Sequence, residues 1–257
     1  MLSRMLTSAL IAGAVAGLIA ALLQLWFVQP VLLHAELYEG GELTHFAAAC
    51  DHDHGADAAA GHDHGAADNA TSAPEAAAHQ APGVGFDAPR DGLSILFSIM
   101  VYAGWGLLLV AVMALTEDRG HAVTARQGLI WGVGGFVAAQ LAPAFGLPPE
   151  LPGMAAAEVG GRAFWWTATV AATGVGVWLL AFGRNWAAWG GAIMLILLPH
   201  LIGAPHPAEL TGPTPPERAA QFAGRALGVG LAAWAVLGVA AATLWSRARA
   251  PVAAAFA

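Results

Sequence analysis

Residues Met5–Val28 read MLTSALIAGAVAGLIAALLQLWFV, an apolar stretch without a single charge. About 20 such residues, wound as a helix, cross a hydrocarbon core of about 30 Å. The run is too long for the apolar part of a secretory signal, about 7–15 residues, and it ends in Trp26 and Phe27 instead of small residues. It therefore predicts an uncleaved membrane helix. Five further stretches of the same kind follow: Leu93–Leu115, Leu129–Phe145, Ala163–Phe182, Trp186–Ile202 and Ala226–Trp245. The expected fold is all-α, a polytopic membrane helix bundle of six spans. The third stretch is short and interrupted by Gln140 and Pro143; if it is re-entrant, the number is five. Gly13 and Gly17 form a GxxxG, and Gly132, Gly134 and Gly135 cluster in the third span. These glycines either mark close helix packing or reflect the general abundance of glycine in membrane helices. Trp26, Trp105, Trp131, Trp165, Trp166, Trp186, Trp189 and Trp245 fall mostly near span ends, as an interfacial aromatic belt would.

Composition narrows the function. The chain of 257 residues is 58% hydrophobic and 11% charged, well under the roughly 25% charged residues of a soluble domain. Its ten basic residues are all arginine. Without lysine there is no Walker A lysine, Schiff-base lysine or kinase lysine, so no ATP hydrolysis is expected of this chain. A net charge of −7 and the lack of a basic patch argue against nucleic acid as a partner. Cys50 is the single cysteine, which excludes an intrachain disulfide. No segment resembles a soluble catalytic domain, and no HExxH-type motif supports a metalloenzyme. The chain reads as a non-enzyme with no permanently bound cofactor.

With six spans, Arg4, Arg119, Arg126, Arg184, Arg247 and Arg249 share one side; Arg90, Arg162, Arg218 and Arg225 share the other. The positive-inside rule puts both termini in the cytoplasm of a bacterial inner membrane. All the acidic residues except Glu117 and Asp118, and all the histidines except His121, then fall outside. Imidazole and carboxylate are common ligands of borderline divalent metals, so the external side is where a divalent metal ion is expected to be recognised.

Three segments organise the chain: 1–46, the first span with an ordered juxtamembrane part; 47–90, a disordered His/Asp/Ala-rich external loop; and 91–257, the rest of the bundle. The loop carries His-Asp-His-Gly twice, placing His52, His54, His62 and His64 on one tether. It reads either as a metal collector or as a solvated low-complexity linker. Capture there is expected to be weak, because a disordered loop must lose entropy to build a site. The ordered flanks offer stiffer candidates. Glu36 and Glu39 share a face if residues 33–39 are helical. Glu150 sits in Gly-Leu-Pro-Pro-Glu-Leu-Pro-Gly (146–153), held by three prolines; the plainer alternative is a surface acid paired with Arg162. His200 follows Pro199, and His206 lies between Pro205 and Pro207. Glu36, Glu150 and His200, with His206, are expected to converge at an outer mouth as the selective site, because rigid presentation is what selectivity needs. No predicted span has an Asp, Glu or His at its middle, so path groups would be Gln24, Gln140, Thr167, Thr169 and Thr173. Met100, Met113 and Met194 read as packing.

Several of these segments together resemble the predicted cobalt transporter subunit CbtA family. The resemblance rests on Gln24–Pro30, Ala35–Glu39, Gly146–Gly153, Arg162–Trp166 and Pro199–Pro205, and covers the chain apart from the histidine-rich insert. It implies cobalt uptake tied to cobalamin synthesis, with a small single-span, histidine-bearing CbtB partner. In that family the histidine-rich segment is associated with the partner, whereas this chain carries its own. The resemblance also favours fewer than six spans. The function expected is the membrane subunit of a Co²⁺ uptake transporter, with Ni²⁺ and Zn²⁺ served by the same ligand types. The alternative is a membrane-anchored binding or assembly protein that hands metal to another transporter.

Overall fold

The computed structural model describes residues 2–43 and 87–254, which form helices and connecting turns. Helix α1 (Leu2–Leu23) passes through a π-helical segment, Gln24–Val28, directly into α2 (Gln29–Glu39). The juxtamembrane stretch is thus a helical extension of the first span. The cause is Pro30, which has no N–H to give and whose ring crowds the preceding turn. Gln29, just before it, donates its N–H five residues back to the Gln24 carbonyl, widening the helix by one residue. The same device recurs at Pro143. There α4 (Gly128–Phe136) widens over Val137–Leu141, Ala142 donates to the Val137 carbonyl, and α5 (Ala142–Ala144) follows.

The remaining helices are α3 (Ala88–Asp118), α6 (Val159–Phe182), α7 (Trp186–Ile202) and α8 (Pro216–Ala254). Their starts are chemically marked. Asp87 accepts from the Arg90 N–H at α3, Glu158 from Gly160 and Gly161 at α6, and Asn185 from Ala188 at α7. Helix α7 stops at Gly203, whose φ of +89° is open to glycine. All six predicted spans lie within helices, and the chain is a polytopic helix bundle. Four stretches are long and apolar enough to cross a bilayer: Leu2–Glu39, Ala88–Asp118, Val159–Phe182 and Pro216–Ala248. Trp186–Ile202 is apolar but shorter, and the predicted third span is the helix bent at Val137–Leu141.

Glycine settles how the bundle closes. A Cβ on Gly13 would lie 2.6 Å from the Tyr102 carbonyl oxygen, one on Gly17 2.5 Å from the Ile99 Cα, and one on Gly106 2.6 Å from the Ala9 carbonyl oxygen. These neighbours are backbone atoms that cannot step aside, so α1 and α3 meet main chain to main chain. The GxxxG therefore is a packing motif. Gly128 and Gly132 on α4 meet Gly238, Val239 and Trp234 of α8 in the same manner. Between these pairs sit Ala9, Ala12, Ala16, Val110, Met113, Leu237 and Trp245, all buried. The bundle's outer surface bears Leu18, Phe97 and Ile130, as a surface in lipid would.

The aromatic-belt reading needs correction. Trp26 and Trp186 are strongly exposed, in keeping with it, but Trp165 and Trp245 are buried. Trp105 lies midway along α3 and packs on Trp234 and Trp166, with ring centroids 5.2 and 6.5 Å away. Position near a predicted span end does not show which way a tryptophan faces.

Chemistry separates along the bundle axis. At one end, Arg4 donates to the Ala248 carbonyl and the Trp245 indole to Glu117; His121 packs on Phe182 there. At the other, Arg225 donates to the Phe27 carbonyl, and the Ala155 N–H to Thr211. Gly153, at φ +74°, lies where a Cβ would come 3.2 Å from both Glu39 and Pro213. This second end carries Glu36, Glu39, Glu150, Glu158, His200 and His206 and is called the acidic end below.

Candidate functional site

A cleft of about 600 Å³ opens at the acidic end among the two π-helical segments, α3, α5, α6 and α8. Its rim is the proline-rich linker. Pro148, Pro149 and Glu150 line it, and Arg162 on the first turn of α6 faces Glu150 across it. One Arg162 nitrogen donates to Glu150 Oε2 at 2.7 Å, with both side chains about one third exposed. The surface-acid alternative for Glu150 thus describes the pairing seen. Arg162 is aimed by the helix cap below it. Glu158 takes N–H bonds from Gly160 and Gly161, both at 2.7 Å, and these hold its carboxyl below the usual carboxylate range.

The cleft is also lined by Trp105, Trp166, Gln24 and Gln140. Both glutamines belong to the π-helical segments. Gln24 Oε1 accepts from Ser98 Oγ at 3.1 Å, tying α1 to α3. Gln140 Oε1 is buried against Gly230 of α8 and has no hydrogen-bond donor among the described residues. Such an atom costs about 1–3 kcal/mol of folding stability and is the kind of strain found at working sites.

Gln24 also lines a second cleft, of about 310 Å³, together with Gln29, Glu36, Arg90, Ser94 and Phe222. Its wall is held by Asp91, only 2% exposed, which accepts from Gln29 Nε2 at 2.8 Å and from Arg90 Nε at 3.0 Å. Glu36 and Glu150 therefore face two clefts that share Gln24.

The expected convergence of Glu36, Glu150 and His200 is not what the helices build. Among the described residues no three His, Cys, Asp or Glu side chains lie close enough to hold one metal ion. His200 sits between aromatic rings instead, edge-on to Trp165 at 5.9 Å and to Phe145 at 6.1 Å. The Trp165 indole donates to the Pro199 carbonyl at 3.1 Å, fixing that corner. His206 and Glu39 are exposed on the same end. His52, His54, His62 and His64 lie outside the described residues. Of the threonine candidates, Thr167 and Thr169 donate to carbonyls of their own helix, while Thr173 is buried with no partner for its hydroxyl among the described residues. Reasoning from sequence named Arg162 only as a partner for Glu150 and missed Trp105 as part of the cleft's lining. A glutamine a few residues before a helix-interior proline, present in both α1 and α4, is the signal that could have pointed to the glutamine pair.

An all-helical, multi-pass membrane protein with a polar cleft opening from one end is, as a class, an integral membrane protein of transporter type. The sequence profile described as Probable cobalt transporter subunit (CbtA) matches residues 2–246. The chain belongs to that family, whose description makes its members probable subunits of a cobalt transporter. No curated protein and no solved structure matches it.

Proposed function

We propose that this chain is the ion-conducting membrane subunit of a cobalt uptake system in the bacterial inner membrane, with the acidic end outside and both termini in the cytoplasm. The observation that supports it best is the polar cleft running from Glu150 and Arg162 at the acidic end to Trp105 at mid-bundle. In this reading Glu36, Glu39, Glu150, His200 and His206 recognise the metal around the outer rim. His52, His54, His62 and His64 collect it when it is scarce. The protein is not an enzyme and does not hydrolyse ATP. A divalent cation moving inward gains about 4.6 kcal/mol per 100 mV of membrane potential, twice the value for one charge. A small single-span, histidine-bearing CbtB-like subunit completes the system, and the metal feeds cobalamin synthesis. The test is uptake of radioactive Co²⁺ by cells lacking other routes, with the partner present. Wild type should give saturable uptake, and His200→Ala should remove it while the protein still reaches the membrane. Absence of uptake by wild type, with metal bound and passed to another transporter, would establish a delivery protein instead.

A further inference from the structure

Away from the polar cleft, α3, α4 and α6 leave an apolar hollow of about 270 Å³ between them. It opens to the side past Leu108 and Ile130, which are 59% and 72% exposed on the outer surface. On α6 its lining runs from Val170 to Phe182, about 18 Å of helix at 1.5 Å per residue. That is close to one leaflet, half of a hydrocarbon core of about 30 Å. The hollow is also slim. One turn of a helix with its side chains, about 10–12 Å across, occupies roughly 400 Å³ or more. Left empty in lipid, the walls would forfeit their dispersion contacts, and a single hydrocarbon chain is the shape that fills it.

One end of the hollow is charged. Trp178 and Phe182 line it there; the Arg119 guanidinium lies over the Trp178 ring at 5.5 Å, and His121 packs on Phe182 at 4.9 Å. Arg184 follows Phe182 closely in the chain and Arg126 lies one turn ahead of Ile130, both exposed. None of these three arginines makes a salt bridge among the described residues. Of the acids described at this end, Glu117 accepts from Trp245 and Val123, and only Asp118 is exposed. Arg119 gives one N–H to the Leu115 carbonyl, and the other donors of its guanidinium remain for an anion.

We infer that the hollow holds one acyl chain of an anionic phospholipid, whose phosphate is bound by Arg119 at the arginine-bearing end. The inference goes beyond the uptake reading and does not depend on it; in the orientation proposed above, the lipid belongs to the cytoplasmic leaflet. Apolar walls supply the fit, and arginine supplies the preference for a negative headgroup.

Native mass spectrometry of the full-length protein in detergent reads bound lipids one by one. With phosphatidylglycerol and phosphatidylcholine of identical chains supplied in equal amounts, one phosphatidylglycerol should stay bound as activation strips the rest. Arg119→Gln should weaken its affinity about fivefold, the effect of one basic residue at an anionic lipid surface, and Arg119→Lys should keep most of it. Gly174→Leu fills the hollow from α6, where a Cβ meets nothing nearer than the Ala138 Cβ at 4.0 Å. It should expel the lipid, while its unfolding midpoint without added lipid matches wild type. Equal retention of the two lipids, or an affinity indifferent to both Arg119→Gln and Gly174→Leu, overturns the site. So does a dimer of the chain that Gly174→Leu separates, since the hollow would then take a second copy. Glycerol 3-phosphate should not compete, and competition by it would overturn the acyl-chain assignment. Cobalt plays no part in the measurement, so its failure leaves the uptake reading standing.

Discussion

Two hollows of this bundle share a wall, and they differ in almost every chemical respect. The outer cleft carries Glu150, Arg162, Gln24 and Gln140. The other, an apolar hollow of about 270 Å³, is lined by Trp131, Gly134, Trp178, Phe182 and Trp234 and opens past Leu108 and Ile130 on the bundle's outer surface. Trp105 and Ala139 line both. A cation in the outer cleft can keep water and meet carboxylate and amide oxygen. A cation in the apolar hollow would meet only aromatic and aliphatic surface, and giving up hydration without replacement ligands is prohibitive. The contrast teaches that polar and apolar linings meet at Trp105 and Ala139.

The largest expected effect is on the polar side. Glu150→Gln keeps the shape and removes the charge; with about 1.5–3 kcal/mol in a charge-assisted contact, Co²⁺ uptake at limiting metal should fall about ten- to hundredfold. Undiminished uptake would mean that the cleft is not the route. Next comes the shared lining. Trp105→Ala removes the shared wall; Trp105 is only partly buried, so the stability cost should stay below the roughly 3–5 kcal/mol of a fully buried tryptophan. Vesicles carrying this variant should leak monovalent cations that wild type excludes, and tight vesicles would show that Trp105 separates nothing.

A smaller effect is expected from acid. The Glu158 carboxyl is held below its usual range by the Gly160 and Gly161 N–H groups. Its contribution is therefore present above the ordinary carboxylate range and disappears as pH falls through the lowered value. The first turn of α6, which carries Arg162, should lose amide protection there, and hydrogen exchange at Gly160–Arg162 reads this directly. Glu158→Gln should abolish the pH dependence. The smallest effect belongs to the apolar hollow. A Cβ on Gly134 would meet Val177 Cγ1 at an ordinary 3.5 Å, so Gly134→Ala should fit and gain up to about 1 kcal/mol of helix propensity. Uptake should stay within about twofold of wild type. A large loss would mean that the cavity must be free for Trp105 to swing into.

The spans were legible because hydropathy is a local property: a run such as Met5–Val28 must bury its backbone polar groups in helix wherever lipid surrounds it. The gathering of acid at one end was legible for the same reason, since charges fall where the chain leaves the bilayer. Glu150 and Arg162 were readable as a pair because they lie close in sequence with prolines holding the linker straight. Gln24 and Gln140 could be named as path candidates but not placed together. Their nearness depends on α1 and α4 both packing on α8, through Gly128, Gly132 and Gly238 among others.

Sequence by itself thus determined the helices, the membrane and the polarity of the two ends, all of which follow from composition within single segments. Only the tertiary structure decided which face of each helix is wet. It put His200 among aromatic rings instead of beside Glu36 and Glu150. It turned Trp105 from an expected interfacial residue into one that lines both the polar cleft and the apolar hollow. It also converted two prolines into widened turns that present glutamines to one cleft. The physical reason is that a helix fixes the spacing of its side chains, whereas their direction is set by the backbone contacts that glycine permits between neighbouring helices.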